Sequence, residues 1–304
     1  MGYWTTELVR LNEGRLVEST IPAKMDGAVM SDLTSRLTPL ALPNWGSSNS
    51  WQDAIFLPAA CGPKLFFRLA QDPIKNQGEP VGEVEAMAIS CLRSFHSAVS
   101  LRISDSGIAD IHKVASCFET NGYRTKTVTL RKNLVYVDRI NGVTSYVPPP
   151  ATHVSGLIKD LYGVISRRVD GDNAALALAF YGMCHFIAIH PLDDGNGRLG
   201  RALFIRLCAK GGISVQVSGA IIALLHVKHA TLFYPALMKY CLSGDMRMLT
   251  DLLTMSIREI SSSEETSKYS SKVTNGLRST SDFSDPIRIA RLRRDLNDLI
   301  KWAI

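Results

Sequence analysis

His190-Pro-Leu-Asp-Asp-Gly-Asn-Gly-Arg-Leu-Gly-Arg201 is the stretch that decides how this chain is read. Gly195 and Gly197 permit backbone angles that a Cβ forbids, so successive N–H groups can converge on one point as an anion-binding nest. The run from about Arg198 to Lys210 has no Pro, and no Gly after position 200. It reads as a helix whose N-terminus adds partial positive charge at the same point. Arg198 and Arg201 are three apart, hence on one helical face, and offer planar forks to two phosphate groups, which suits a polyphosphate. Asp193 and Asp194 sit badly beside phosphate unless a cation lies between, and a carboxylate with phosphate oxygens is the usual Mg²⁺ arrangement. His190, with an ordinary pKa of roughly 6.5, is the nearby group able to accept a proton near neutrality. The stretch therefore implies a Mg-nucleotide and a hydroxyl that loses its proton.

Behind the loop, residues 173 to 189 are apolar almost all round, which predicts a buried helix. The run is too short to span a bilayer comfortably and is interrupted by His185, so His185 is expected to be a core histidine. His112, His226 and His229 receive the same reading. His190 does not, because of its neighbours.

The twelve-residue stretch closely resembles the signature of Fic-domain proteins, His-Pro-Phe-x-(Asp/Glu)-Gly-Asn-Gly-Arg-x-x-Arg, with Leu192 at the Phe position. Leu keeps an apolar anchor there but loses bulk. The resemblance implies a mainly α fold: a small helical core in which the motif loop joins two helices, a β-hairpin flap, a helical N-terminal region and a C-terminal helix. It also implies transfer of AMP from ATP to a Ser, Thr or Tyr hydroxyl of a target protein. His190 would be the catalytic base, and Asp194, Gly195, Asn196, Gly197, Arg198 and Arg201 the nucleotide and phosphate ligands. Asp194 would hold Mg²⁺, bound with ATP. The order Ile111-His-Lys-Val, Asn121-Gly-Tyr-Arg-Thr-Lys-Thr-Val-Thr-Leu, Tyr146-Val-Pro-Pro-Pro and Leu157-Ile-Lys-Asp-Leu is similar to the family's helix, flap and returning helix. Read on their own, Thr127 to Leu130 and Val135 to Val137 are short β-prone runs, and Asn141-Gly142 is a turn pair before Val143 to Val147. Strand addition along this flap, about 127–147, is how the resemblance implies that a target is held.

Many family members carry an inhibitory helix with the pattern (Ser/Thr)-x-x-x-Glu-(Gly/Asn), whose glutamate pairs with the second motif arginine. Pro22-Ala-Lys-Met-Asp26-Gly27 is a degenerate likeness, making Asp26 the candidate inhibitory residue. The alternative is an ordinary helix start with Met25, Val29, Met30 and Leu33 as core contacts. Ser261 to Glu265 is a weaker second candidate.

The chain of 304 residues divides in this reading into an N-terminal helical region (1–80), a Fic domain (81–260), a Ser-rich linker (261–284) and a C-terminal amphipathic helix (285–304). Glu83 to Ser97 predicts the amphipathic helix that opens the core. The last helix is expected to dock on its own core, on a second copy in a homodimer, or on a partner. With 46% hydrophobic residues and mean hydropathy +0.06 the chain can bury a real core. No apolar N-terminal leader and no membrane-spanning run are read, so the expected location is cytoplasmic, or that of an effector secreted without cleavage. A net charge of +6 and a pI near 9.0 come without a polybasic block, so nucleic acid is not an expected partner. The six cysteines form no Cys-x-x-Cys pair and read as reduced packing residues. Other donors, UTP or CDP-choline, and a catalytically silent nucleotide-binding scaffold are the competing readings; the intact Gly-Asn-Gly-Arg-x-x-Arg argues against the phosphate-transferring branch.

Overall fold

The computed structural model of the chain describes residues 4–10, 16–23, 27–42, 56–61, 65–66, 83–119, 129–138, 144–167 and 171–262. Two antiparallel strands come first, β1 (Thr5–Arg10) and β2 (Leu16–Ile21), with Thr5 opposite Ile21 and Arg10 opposite Leu16. They correct the expectation of helix for this part of the N-terminal region. Thr5, Thr6, Val9, Val17, Thr20 and Ile21 are β-branched, and the connection contains Asn12-Glu13-Gly14, which is hairpin chemistry. Helix follows in α1 (Gly27–Leu37) and at residues 56–61 and 65–66.

Next come α2 (Glu83–Val99) and α3 (Gly107–Glu119), then the short antiparallel pair β3 (Val137–Asp138) and β4 (Thr144–Tyr146). Three prolines end that hairpin, and Pro150 caps the start of α4 (Ala151–Ile165). The centre of the molecule is α5 (Asp172–Ile189), followed by α6 (Asn196–Lys210), α7 (Val215–Ala223), a π-helical turn (Leu224–Lys228), α8 (Ala230–Ser243) and α9 (Arg247–Ser262). The fold is mainly helical, as expected.

α5 is buried on every side, because its run from Ala175 to Phe186 offers no polar face. By length and composition it could cross a membrane, contrary to the reading that no run reaches that length, and here it is the core helix. α6 lies against it at close range. A Cβ on Gly200 would come within 2.9 Å of Ile187 Cγ1, so the absence of a side chain at 200 sets how near the two helices approach. A buried ion pair braces the other end of α6: Arg206 Nη2 lies 2.7 Å from Asp110 Oδ1, and both side chains are almost wholly enclosed. Tyr162 donates to Asp110 at 2.8 Å, while Arg206 also donates to the carbonyls of Leu101 and Arg102 at 2.9 Å each. α3, α4 and α6 thus meet on one carboxylate.

None of the six cysteines, all of them among the described residues, is in a disulfide. His185, His226 and His229 are buried as expected; His112 is exposed, because it falls on the outer face of α3. Of the flap segments, residues 121–128 and 139–143 lie outside the described residues, and 129–130 are not strand. Everything from 263 on, including most of the Ser-rich segment and the C-terminal helix, also lies outside them.

Candidate active site

The loop between α5 and α6 brings the C-terminal end of one helix next to the N-terminal end of another. His190 ends α5 in the left-handed region, at φ 52 and ψ 59, and is the one non-glycine residue with positive φ among the described residues. A residue with a Cβ pays about 1–2 kcal/mol for that conformation, so its surroundings must hold it there. Gly195, at φ 84, makes the opposite turn into α6. No side chain caps the first turn of α6, which leaves this end suited to an anion.

His190 is held unprotonated. Burial and, secondarily, the charge of Arg131 push its pKa down to about 4, while the Ile187 backbone and Asp194 pull the other way. At neutral pH the imidazole is therefore the free base. Asp194 is exposed, and its Oδ2 lies 3.0 Å from Nη2 of Arg198. Arg198 in turn lies over the ring of Phe118, 5.6 Å from its centroid, an arrangement that steadies a cation beside the helix end.

Three predicted ligands take positions with a different emphasis. The side chain of Asn196 is buried and turned onto the loop itself: it accepts from Leu192 N at 2.9 Å and donates to Leu192 O at 2.8 Å. Its visible work is to shape the loop, with Leu192 anchored in the core as the apolar residue expected there. Gly197 does not adopt positive φ, which corrects the sequence argument for it; instead a Cβ there would stand 3.1 Å from Arg201 Nη1. The missing side chain makes room for the guanidinium. Arg201 itself is buried, only 5% exposed, and its Nε donates to the carbonyl of Ala59 at 2.6 Å.

That last contact could not be read from the motif. Asp26 lies outside the described residues, and the segment that meets Arg201 is 56–61. Cys61, Cys91, Tyr234 and His226 all lie within electrostatic reach of this guanidinium. Tyr234 hydroxyl and His226 Nδ1 are 2.7 Å apart. Cys61 carries a neutral thiol, its pKa raised by a hydrogen bond with Cys91 and by burial. The trace in the sequence is slight: in Leu57-Pro-Ala-Ala-Cys61-Gly62 only Gly62 matches the inhibitory pattern, with Leu57 at its Ser/Thr place and Cys61 at its Glu place. A search for an acid passes over it.

Arg131 was also missed. Only 2% exposed, it donates to the carbonyl of His190 at 2.7 Å and to that of Asn133 at 3.1 Å. It also donates to Pro149 and, at 3.5 Å, to Ile189. Tyr146 from β4 donates to the carbonyl of Ala188. The orphan carbonyls at the end of α5 are thus satisfied from the flap side.

No cluster of three or more His, Cys, Asp or Glu suited to a metal occurs among the described residues. Asp193 and Asp194 are both exposed in the loop, and Asp194, just before the start of α6, fits Mg²⁺ that would arrive with phosphate and keep its remaining ligands from phosphate and water.

Residues 101–208 match the model of the Fic/DOC family. Over that stretch, about a third of the chain, the sequence is similar to the Fic/DOC family. A Fic family protein from Desulfovibrio desulfuricans G20 superposes with TM-score 0.53 at 16% identity, over 83% of this chain and 74% of its own. Fic-1 from C. elegans aligns at 16% identity over 80% and 72% of the two chains, with TM-score 0.47. A Fic domain containing signaling protein from Bacteroides thetaiotaomicron VPI-5482 aligns at 14% identity over 83% and 100%, with TM-score 0.38. The first of these supports the fold; none is near enough in sequence to carry an activity across. Comparison with curated proteins gives no match. Proteins of the Fic family are typically nucleotidyltransferases.

Proposed function

We propose that this protein is a protein adenylyltransferase that moves AMP from Mg-ATP to a Ser, Thr or Tyr hydroxyl of a target protein. The observation that carries the reading is a neutral imidazole, His190, held in a strained backbone conformation one loop away from an uncapped helix N-terminus flanked by Arg198.

In this mechanism the first turn of α6 and Arg198 receive the phosphates and stabilise charge on the α-phosphate as it is attacked. Asp194 is the residue that would hold Mg²⁺, which when bound neutralises phosphate charge. Arg201 would orient the β/γ end once it leaves the Ala59 carbonyl. The target lies along the flap, within about 127–147, and His190 takes the proton of its hydroxyl as the oxygen bonds to the α-phosphorus. The bond from that phosphorus to the bridging oxygen breaks, and pyrophosphate leaves.

The test is incubation with Mg²⁺ and α-labelled ATP, with wild type and His190→Ala side by side and label on protein read by mass spectrometry. Loss of the general base should lower transfer about 10² to 10⁴-fold with ATP affinity kept. Transfer by His190→Ala at the wild-type rate, or a wild type that binds ATP but adds no AMP, would refute the assignment.

A further inference from the structure

We propose that Arg131, which lies 59 positions before the motif base, is a positioning residue that fixes His190 and the flap relative to one another. The inference rests on the adenylyltransferase reading for its kinetic consequence and on geometry alone for its structural one.

The argument begins with the strain at His190. A histidine does not stay in the left-handed region by preference, and a helix that ends there leaves its last carbonyls pointing at whatever comes next. Two of these carbonyls, at Ile189 and His190, accept from Arg131, and a third, at Ala188, accepts from Tyr146. Arg131 also makes a backbone bond, its N–H donating to Pro191 O at 2.9 Å. The residues on both sides of the histidine are therefore tied to one arginine, by main chain and by side chain.

The same guanidinium reaches in the opposite direction. Asn133 lies just before β3, and Pro149 just after β4, so the fork spans the two roots of the flap. A planar group with five donors in fixed directions can hold carbonyls from three segments at once. An ammonium at the end of a flexible stem cannot reproduce that spread. Since the flap is where a target hydroxyl would be presented, one side chain sets the distance between the base and the strand pair that serves it. Misplacement of a reacting group by about 1 Å is enough to cost roughly 10²-fold in rate.

Arg131 is also a cation close to the base. It opposes protonation of His190, in the same sense as burial. The clamp and the charge act together on one imidazole, and neither involves the residues that would bind ATP.

Arg131→Met and Arg131→Lys test this, each compared with wild type by NMR and by kinetics. In wild type the backbone carbon shifts of His190 should carry the signature of positive φ. In Arg131→Met that signature should be lost, kcat for AMP incorporation should fall about 100-fold, and KM for ATP should stay near the wild-type value. Arg131→Lys should retain part of the signature and part of kcat. A His190 signature unchanged in Arg131→Met overturns the proposal whatever the kinetics show. A fall in kcat that is matched by loss of ATP binding overturns it as well, since that is general damage. If Arg131→Met does not fold, Arg131→Lys decides: wild-type shifts and rate in that variant refute the requirement for the fork. Absence of AMP transfer by the wild type would sink the adenylyltransferase reading alone, and the NMR comparison would still judge the clamp.

Discussion

Replacing Cys61 by glutamate should suppress use of ATP, while replacing it by glutamine should not. Cys61 closes the helical stretch that covers Arg201: the arginine donates to the carbonyl of Ala59, two residues before the thiol, and both Arg201 and Arg198 act electrostatically on Cys61. The thiol is neutral, so in the present sequence the arginine is covered without being neutralised. A carboxylate at this position would meet two guanidinium groups in a nearly dry setting. A hydrogen bond between charged partners there is worth about 1.5–3 kcal/mol, and ATP must displace it before Arg201 can serve phosphate. That range corresponds to roughly a 10 to 150-fold loss in kcat/KM for ATP. Glutamine has the size and the reach of glutamate without its charge. The assay is the initial rate of AMP incorporation against ATP concentration at pH 8, together with binding of a non-hydrolysable analogue. Equal behaviour of Cys61→Glu and Cys61→Gln would refute the reasoning, because the loss would then be one of packing.

Three further results are expected. His190 has its pKa depressed to about 4, so kcat/KM should keep its general base down to about pH 4 and show no acid limb near 6.5; a limb at the ordinary histidine value would contradict the burial of the ring. His185, buried against Tyr240 and likewise depressed to about 4, ties stability to pH in a definite direction. Between about pH 6.5 and 4 the unfolded chain binds a proton that the native imidazole refuses, so stability falls as pH falls, by about 3 kcal/mol for this group at the lower end. Urea unfolding at a series of pH values reads that slope, and His185→Gln should reduce it by this share, leaving the parts due to His190 and His226. Asp110→Asn should cost about 3 kcal/mol by leaving Arg206 charged and unpaired in the core, and a loss under about 1 kcal/mol by urea titration would show that the Leu101 and Arg102 carbonyls suffice to hold it.

The motif loop was legible because its residues act through local rules. Positive φ at Gly195, a helix expected from about 198 and found from 196, and a buried helix behind His190 all follow from spacing and residue type. What could not be read depends on parts of the chain far away. Arg201 is 142 positions from the carbonyl it holds, and Arg131 is 59 from His190. Neither contact has a periodicity, and each involves main-chain oxygen, which every residue possesses. Gly197 illustrates a different failure. Its glycine was assigned to backbone freedom, whereas the structure uses the empty space for Arg201, and sequence alone does not separate a missing Cβ from an unusual φ. The N-terminal hairpin was a plain misreading. Its β-branched residues and Asn-Glu-Gly connection were visible, and helix was expected from the character of the region as a whole.

The two helix ends that face each other across the loop also explain why the resting base is neutral and yet able to take a proton. α5 presents its carbonyl end to His190, which favours an imidazolium, and α6 presents its amide end to the anion, which favours phosphate. Burial and Arg131 outweigh the first effect in the free protein and hold the imidazole unprotonated. A polyphosphate bound at the start of α6, as proposed, would bring several negative charges into the same pocket, and these would raise the proton affinity of His190. The base is thereby weakest when the pocket is empty and strongest when the nucleotide is in place. If that ordering holds, the acid limb should lie at higher pH in kcat, which reports the complex, than in kcat/KM, which reports the free enzyme. Coincident limbs would mean that phosphate and imidazole do not share a field, and would separate the anion site from the base.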